Sequence, residues 1–486
     1  MSPAWILVCV AGYFAVLLTI AWVTSRRADS AGYFLGNRAS LWYVVAFGMI
    51  SDTLSGVSFV SVPGQVGAKQ FGYFQIVLGN VLGYAVIALV LLPLYYRLNL
   101  TSIYGYLGQR FGPRSQKTGA ALFLVSRLLQ AGARLFIAAQ VFQIFLFGHW
   151  GVPFVVTVAA MIGLILLYTY RGGIKTLVWT DTFQSAFLLL GVLGTIAALA
   201  HGLNLDFSGL VNTVRESPHS QIFFWDWREG NFFWKQIIAG ACLAVVMNGL
   251  DQNVMQKNLS CRTLGEAQKN FFVFGGVVLL VNLAILSLGA LLLAFAQAKG
   301  VAVPEKTDQL FPLLAFQHLG PAAAVCFVLG LTAATFSSAD SVLTTLTTSF
   351  CVDILGMDSG SNADDRGQTR LRHKVHIGFA VLLLLVILGF NAVRIESLVY
   401  TVLDLATYTY GPLLGLFAFG LANRRAVRDR WVPLVCLAAP LLCWMVKANS
   451  ARWFGGYKLG FELLILNGAL TAAGLWLLCE EPGFEK

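Results

Sequence analysis

The chain has 486 residues, of which 57% are hydrophobic and only 12% charged, about half the usual quarter. At about 20 residues per spanning helix, that much apolar chain furnishes up to about fourteen membrane crossings. It excludes an ordinary soluble enzyme, a disordered chain and a disulfide scaffold, and its long unbroken apolar runs exclude a β-barrel, whose strands alternate in polarity.

Hydropathy predicts thirteen helical spans, at about 3–23, 41–62, 72–97, 118–147, 151–170, 177–202, 234–256, 270–297, 321–351, 375–392, 395–421, 431–446 and 458–479. The first has no basic leader region and no small-residue cleavage site, and Arg26 and Arg27 stop it. The net charge of +10 sits largely in short loops between spans, so it points to the membrane and not to nucleic acid. Alternate loops hold 21 and 10 Lys or Arg, with Lys257 counted among the 21. That bias predicts an outside N-terminus and a cytoplasmic C-terminus in a cell membrane. The longest polar stretches, about 203–233 and 353–374, are too short and featureless for a soluble domain. There is no P-loop, GxGxxG, HExxH or paired CxxC, and Gly172-Gly173 reads as a turn between two spans. The eight cysteines show no metal spacing, and most read as small packed hydrophobes. The histidines fall near span ends or in loops, so an embedded enzyme is not expected.

Several spans carry groups that are costly in hydrocarbon and so mark an interior path. In the second, Ser51-Asp52-Thr53-Leu54-Ser55-Gly56 is poor helix material. It predicts a break whose freed carbonyls can ligate a cation, the alternative being a helix packed closely through small residues. In the fourth, Arg127 and Arg134 stand seven apart on one face and need an acidic partner or an anionic ligand. Asp181 lies about one turn into the sixth span, where a carboxylate at the interface is the alternative reading. Asn248, Gly249, Asp251 and Gln252 predict a second break in the seventh. In the ninth, Ser337, Asp340 and Ser341 share a face at i, i+3 and i+4, beside Ser338 and one turn after Ala334. Hydroxyls with a carboxylate are hard oxygen ligands suited to Na⁺. Asp404 reads as another buried acid.

The two breaks open two stretches of five spans each, 41–202 and 234–421. An odd number of spans inverts the second stretch relative to the first. Inverted repeats with discontinuous first helices describe alternating-access transporters with midplane sites. The expectation is a single transmembrane transporter domain over 1–486. It has an extra N-terminal helix at 3–23 and two extra C-terminal helices within 431–479.

The pieces YFLGNRAS, SDTLSGVSFVSVPG, TSIYGYLGQRFG, YRGGIKTLVWTDTFQ, LDQNVMQKNLS, FSSADSVLTTLTTSFCVDI and YGPLLGLFAFG occur in that order over about 3–480. With them the chain resembles the sodium:solute symporter family, which includes bacterial proline, sialic-acid and sugar symporters. The resemblance implies a LeuT-type all-α fold and Na⁺-driven uptake. It implies a first sodium site formed by the carbonyls of Ser51, Leu54 and Ala334 and the hydroxyls of Ser337 and Ser338. Some relatives have a second sodium, whose matching positions are Asp181, Ser337, Asp340 and Ser341; an acid at position 340 is not universal there. Asp52 resembles an acid important to sodium use in proline symporters. Substrate positions carried over are Thr53, Ser55, Ser58, Arg134, Met247, Asn248 and Asp251. Ser58 and Met247 depart from the Gln and Tyr of sugar symporters, while AGARLF around Arg134 looks like a proline-symporter segment. Sialic-acid symporters use an arginine in this helix on the substrate carboxylate, which makes Arg134 the candidate carboxylate binder, with Asp251 as a competing internal partner.

The expected function is sodium-coupled symport of a small, carboxylate-bearing solute such as an amino acid or sialic acid. A sodium/sugar symporter and a proton-coupled symporter of the same fold are the alternatives. The expected partners are the solute, sodium ions and the lipid bilayer, with neither nucleic acid nor an obligate protein partner.

Overall fold

Burying backbone polar groups in hydrocarbon leaves a chain this apolar little choice but helices. The computed structural model describes residues 3–25, 38–145, 147–357, 365–392, 398–455, 457 and 459–479. Arg26 and Arg27 and much of the YFLGNRAS piece lie outside them. Among the described residues the only extended pairings are two isolated bridges, Ser40 with Cys261 and Val427 with Cys479.

The longer helices are α1 (Pro3–Ser25), α2 (Trp42–Thr53), α3 (Gly56–Gly64), α4 (Tyr73–Val86), α5 (Pro113–Phe145), α6 (Phe154–Gly202), α7 (Phe207–Glu216), α8 (Phe233–Ala244), α9 (Gln252–Leu259), α10 (Leu264–Lys299), α11 (Pro321–Ser349), α12 (Asp365–Ala392), α13 (Leu398–Thr409), α14 (Gly411–Ala422), α15 (Val432–Trp453) and α16 (Leu463–Leu477). Among the described residues, eight helices are long and apolar enough to cross a membrane, or up to 11 if each bent pair is one crossing. Two shorter apolar helices, Phe154–Thr169 and Leu463–Leu477, lie at the fifth and thirteenth expected spans.

Both expected breaks are present. Helices α2 and α3 meet at 56° across Leu54-Ser55, and the seventh span bends by 64° between Gly249 and Gln252. A third bend, of 44°, separates α13 from α14 at Tyr410 and was not expected from the sequence. Pro412 follows it in the first turn of α14, where a missing N–H is harmless. The Gly172-Gly173 doublet, expected as a turn, falls within the helical assignment of α6. A straight helix of 49 residues would be about 74 Å long, over twice the hydrocarbon thickness of about 30 Å. Within it, Thr176–Gly202 is long and apolar enough to cross by itself, and Phe154–Thr169 is a shorter apolar helix before it.

The peripheral helices leave large apolar side chains outward, such as Trp5, Val8 and Trp22 on α1 and Leu434, Leu437 and Leu441 on α15. The centre is α11, buried without interruption from Gly330 to Ser349. Helices α6, α5, α12, α3, α2 and α9 pack around it. Close approach of α3 to α11 requires Gly56, since a Cβ there would stand 2.4 Å from Thr335 Oγ1.

Candidate functional site

The buried run of α11 contains eleven Ser, Thr or Asp residues. Most of its hydroxyls bond back to the carbonyl four residues earlier, as Thr332, Thr344, Thr345, Thr347 and Thr348 do. Ser337 and Ser341 instead reach across to neighbouring helices. The Ser337 hydroxyl donates to Asp181 Oδ1 at 2.9 Å and shares a hydrogen with the Ser51 hydroxyl at 2.8 Å. Ser51 also contacts the Asp181 carbonyl at 3.1 Å, and its amide donates to Ser185 Oγ at 3.0 Å. Ser338 does both: it bonds to the Ala334 carbonyl at 3.1 Å and lies 3.4 Å from the Asp52 carbonyl. Helices α2, α6 and α11 thus converge on Ser51, Asp181 and Ser337–Ser338.

The break explains why oxygen is available there. A helix end leaves its last carbonyls without intrahelical donors. In α2 the ladder closes with the Leu54 amide on Ile50, and the next rung, the Phe59 amide on Ser55, belongs to α3. The carbonyls of residues 51–54 therefore have no rung in either helix, and they lie at the negative end of the α2 dipole. The second break differs. Its freed carbonyls at Gly249 and Leu250 accept from the hydroxyls of Tyr95 and Tyr104, at 2.9 and 3.0 Å. Asp251 caps α9 by accepting from the amides of Asn253 and Val254. One break leaves its carbonyls without helical rungs, and the other is closed by tyrosines.

Asp181 is fully buried within the helix bundle. Asp340 is equally buried; its Oδ1 accepts from the Ser341 amide, while Oδ2 has no partner of hydrogen-bond geometry. Asp404 is corrected from a buried acid to a half-exposed one, paired with Lys447 at 2.5 Å. Sequence reasoning also missed Lys257. It was counted as a loop lysine, yet it is 1% exposed on α9, with Nζ 2.6 Å from Asp181 Oδ2 and 3.2 Å from Asp52 Oδ2. Asn253, one turn before it, donates from its amide Nδ2 to the Asp52 carboxylate, 3.0 Å from Oδ1 and 2.9 Å from Oδ2. The signal was there in the sequence: a helix as polar as QNVMQKN following a break is too polar to face lipid and must face the interior.

A cavity lies beside these groups. Its wall includes Asp52, Thr53, Ser55 and Ser58 of the first break, Arg127 and Arg134 of α5, and Met247 and Asn248 of the second break. Every carried-over substrate position lines it except Asp251. Asp251 is instead taken by Arg127, with Nε 2.8 Å from Oδ2 and Nη2 3.1 Å from Oδ1, and by the Tyr410 hydroxyl. Arg134 is 8% exposed, faces the cavity and, among the described residues, has no acid within salt-bridge distance. Two arginines seven apart on one helix thus have different fates, one paired and one open.

A model of the sodium:solute symporters matches residues 33–428. The chain belongs to the sodium:solute symporter family. Its relatives include a sodium/sialic acid symporter of Aliivibrio fischeri, 23% identical over 95% of this chain and 91% of that protein. A sodium-coupled monocarboxylate transporter of Xenopus laevis is 26% identical over 84% of this chain and 67% of that protein. The fold matches that of a Na⁺-coupled sialic acid symporter solved in a substrate-bound outward-open state, with TM-score 0.82, 19% identity and 97% of each chain covered. This symporter is therefore a multi-pass, all-helical membrane protein of the LeuT-type fold, driven by sodium and carrying a small organic solute.

Proposed function

We propose that the solute of this symporter carries a carboxylate and that Arg134 binds it. The observation that carries this reading is the open guanidinium. A buried arginine without an acid is costly unless a ligand supplies the negative charge, and a guanidinium meets a carboxylate at two points. Thr53, Ser55, Ser58 and Asn248 would offer polar contacts around the rest of the solute, with Met247 as an apolar wall. The relatives named for sialic acid and for monocarboxylates support an acidic solute.

Sodium would occupy the first site, at the carbonyls of Ser51, Leu54 and Ala334 and the hydroxyls of Ser337 and Ser338. The convergence of α2 and α11 there supports it. Bound sodium would hold the break of α2–α3 against α11 and so shape the cavity wall at Thr53 to Ser58. Sodium then raises solute affinity, and solute must raise sodium affinity by the same factor. The repeats 41–202 and 234–421 would rock to alternate access, with 3–23 and 431–479 as additions, giving thirteen crossings. With the N-terminus outside, as the loop charges favour, a negative interior drives each sodium inward by about 2.3 kcal/mol per 100 mV. The test is uptake into proteoliposomes under an imposed Na⁺ gradient, screened over amino acids, sialic acids, monocarboxylates and neutral sugars. Na⁺-dependent uptake of an acidic solute supports the reading. Uptake of neutral sugars alone defeats it, and uptake driven equally by a pH gradient without Na⁺ favours the proton-coupled alternative.

A further inference from the structure

Lys257 stands where a second coupling ion would stand. Its Nζ lies 2.6 Å from Asp181 Oδ2 and 2.8 Å from Ser341 Oγ. Those two side chains are half of the set Asp181, Ser337, Asp340 and Ser341 that the family resemblance gives for a second sodium. The third contact of Nζ, Asp52 Oδ2 at 3.2 Å, adds a second carboxylate.

A sodium ion touching both Asp181 Oδ2 and Ser341 Oγ would have to take the position of Nζ. It could not share that position, because two monovalent cations a few ångströms apart in a buried site repel strongly. Displacing the lysine is also difficult. Helix α9 is buried at every residue from Gln252 to Leu259, so the ammonium has no solvated place to swing to. Its partner Asp52 is held in addition by the Asn253 amide nitrogen, which donates to the carboxylate, while Asn253 Oδ1 accepts from Thr345 of α11. The ammonium is thus a buried, tethered cation that joins α2, α6, α9 and α11.

We propose that the Lys257 ammonium is the resident cation of the second site, so that this symporter carries one sodium per cycle, bound at the first site alone. The inference rests on the sodium-symport reading and deepens it to a stoichiometry.

The test counts ions. Purified protein in lipid nanodiscs is titrated with ²²Na⁺ to saturation, and the Na⁺ dependence of uptake is fitted for its Hill coefficient. The wild-type protein is expected to bind one Na⁺ with a Hill coefficient near 1. In Lys257→Gln the site becomes an all-oxygen cage, and two Na⁺ with a Hill coefficient rising above 1 are expected. The double variant Asp181→Asn/Lys257→Gln removes both charges of the pair and is expected to lose the extra ion again. Two Na⁺ bound to the wild-type protein would overturn the assignment while leaving symport intact, and that count needs no variant to fold. A monodisperse Lys257→Gln that still binds one Na⁺ would overturn it too. No Na⁺ binding to the wild-type protein would instead fail the symport reading beneath it.

Discussion

Arg134→Ala removes a buried cation that no acid among the described residues neutralises. Two consequences follow, and they separate the substrate role from a structural one. Truncating one partner of a buried, hydrogen-bonded charge pair costs about 2–5 kcal/mol, much of it from the partner left unpaired. On the proposed reading that partner is the solute carboxylate. At 1.4 kcal/mol per tenfold, affinity falls by about 30-fold to several thousand-fold. The solute-free protein breaks no ion pair, so its Tm stays where it was or rises as the buried charge disappears. The assay is a thermal-shift titration of purified protein in saturating Na⁺, since a ligand that binds only the native state raises Tm by mass action. Arg134→Ala should lose the shift given by an acidic solute and keep the shift given by Na⁺. Unchanged solute affinity in the variant would refute the reasoning. So would a fall in solute-free Tm as large as that of Arg127→Ala, which would show that Arg134 serves an internal acid.

The neighbouring positions give contrasting expectations. Arg127→Ala strands Asp251, which keeps only Tyr410 and the two capping amides of α9, and should destabilise the protein by about 3–5 kcal/mol whether or not solute is present; a thermal melt without ligand reads this directly. Ser338→Ala removes a hydroxyl poised between the Ala334 and Asp52 carbonyls. Losing one contact to a bound cation, worth about 1.5–3 kcal/mol, should raise the Na⁺ concentration for half-maximal uptake by about tenfold or more. An unchanged Na⁺ dependence would remove Ser338 from the sodium site.

Much of the architecture was legible because lipid makes it so. Hydrocarbon forbids unpaired backbone groups, so apolar runs of sufficient length could only be helices. Ser-Asp-Thr-Leu-Ser-Gly and Asn-Gly-Leu-Asp-Gln stood out as breaks for the same reason. The spacing of Ser337, Asp340 and Ser341 on one face is fixed by helical periodicity and needed no fold.

What the chain order could not determine was which charge meets which. Arg127 and Arg134 are equivalent in sequence, yet only Arg127 lies level with Asp251 at the second break, and that depends on how α5 packs against α9 and Tyr410. Lys257 looked like a loop lysine because it follows a short apolar span. Only the 64° bend before α9 turns that polar helix inward and brings its ammonium to Asp52 and Asp181, 205 and 76 residues away in the chain. Asp404 erred the opposite way, placed inside by hydropathy and found half-exposed beside Lys447. Sequence determined the elements, because their formation is governed by local hydrogen bonding and transfer from water. Tertiary packing decided the pairings, because Coulomb attraction acts on distances in space and those are set only when the helices meet.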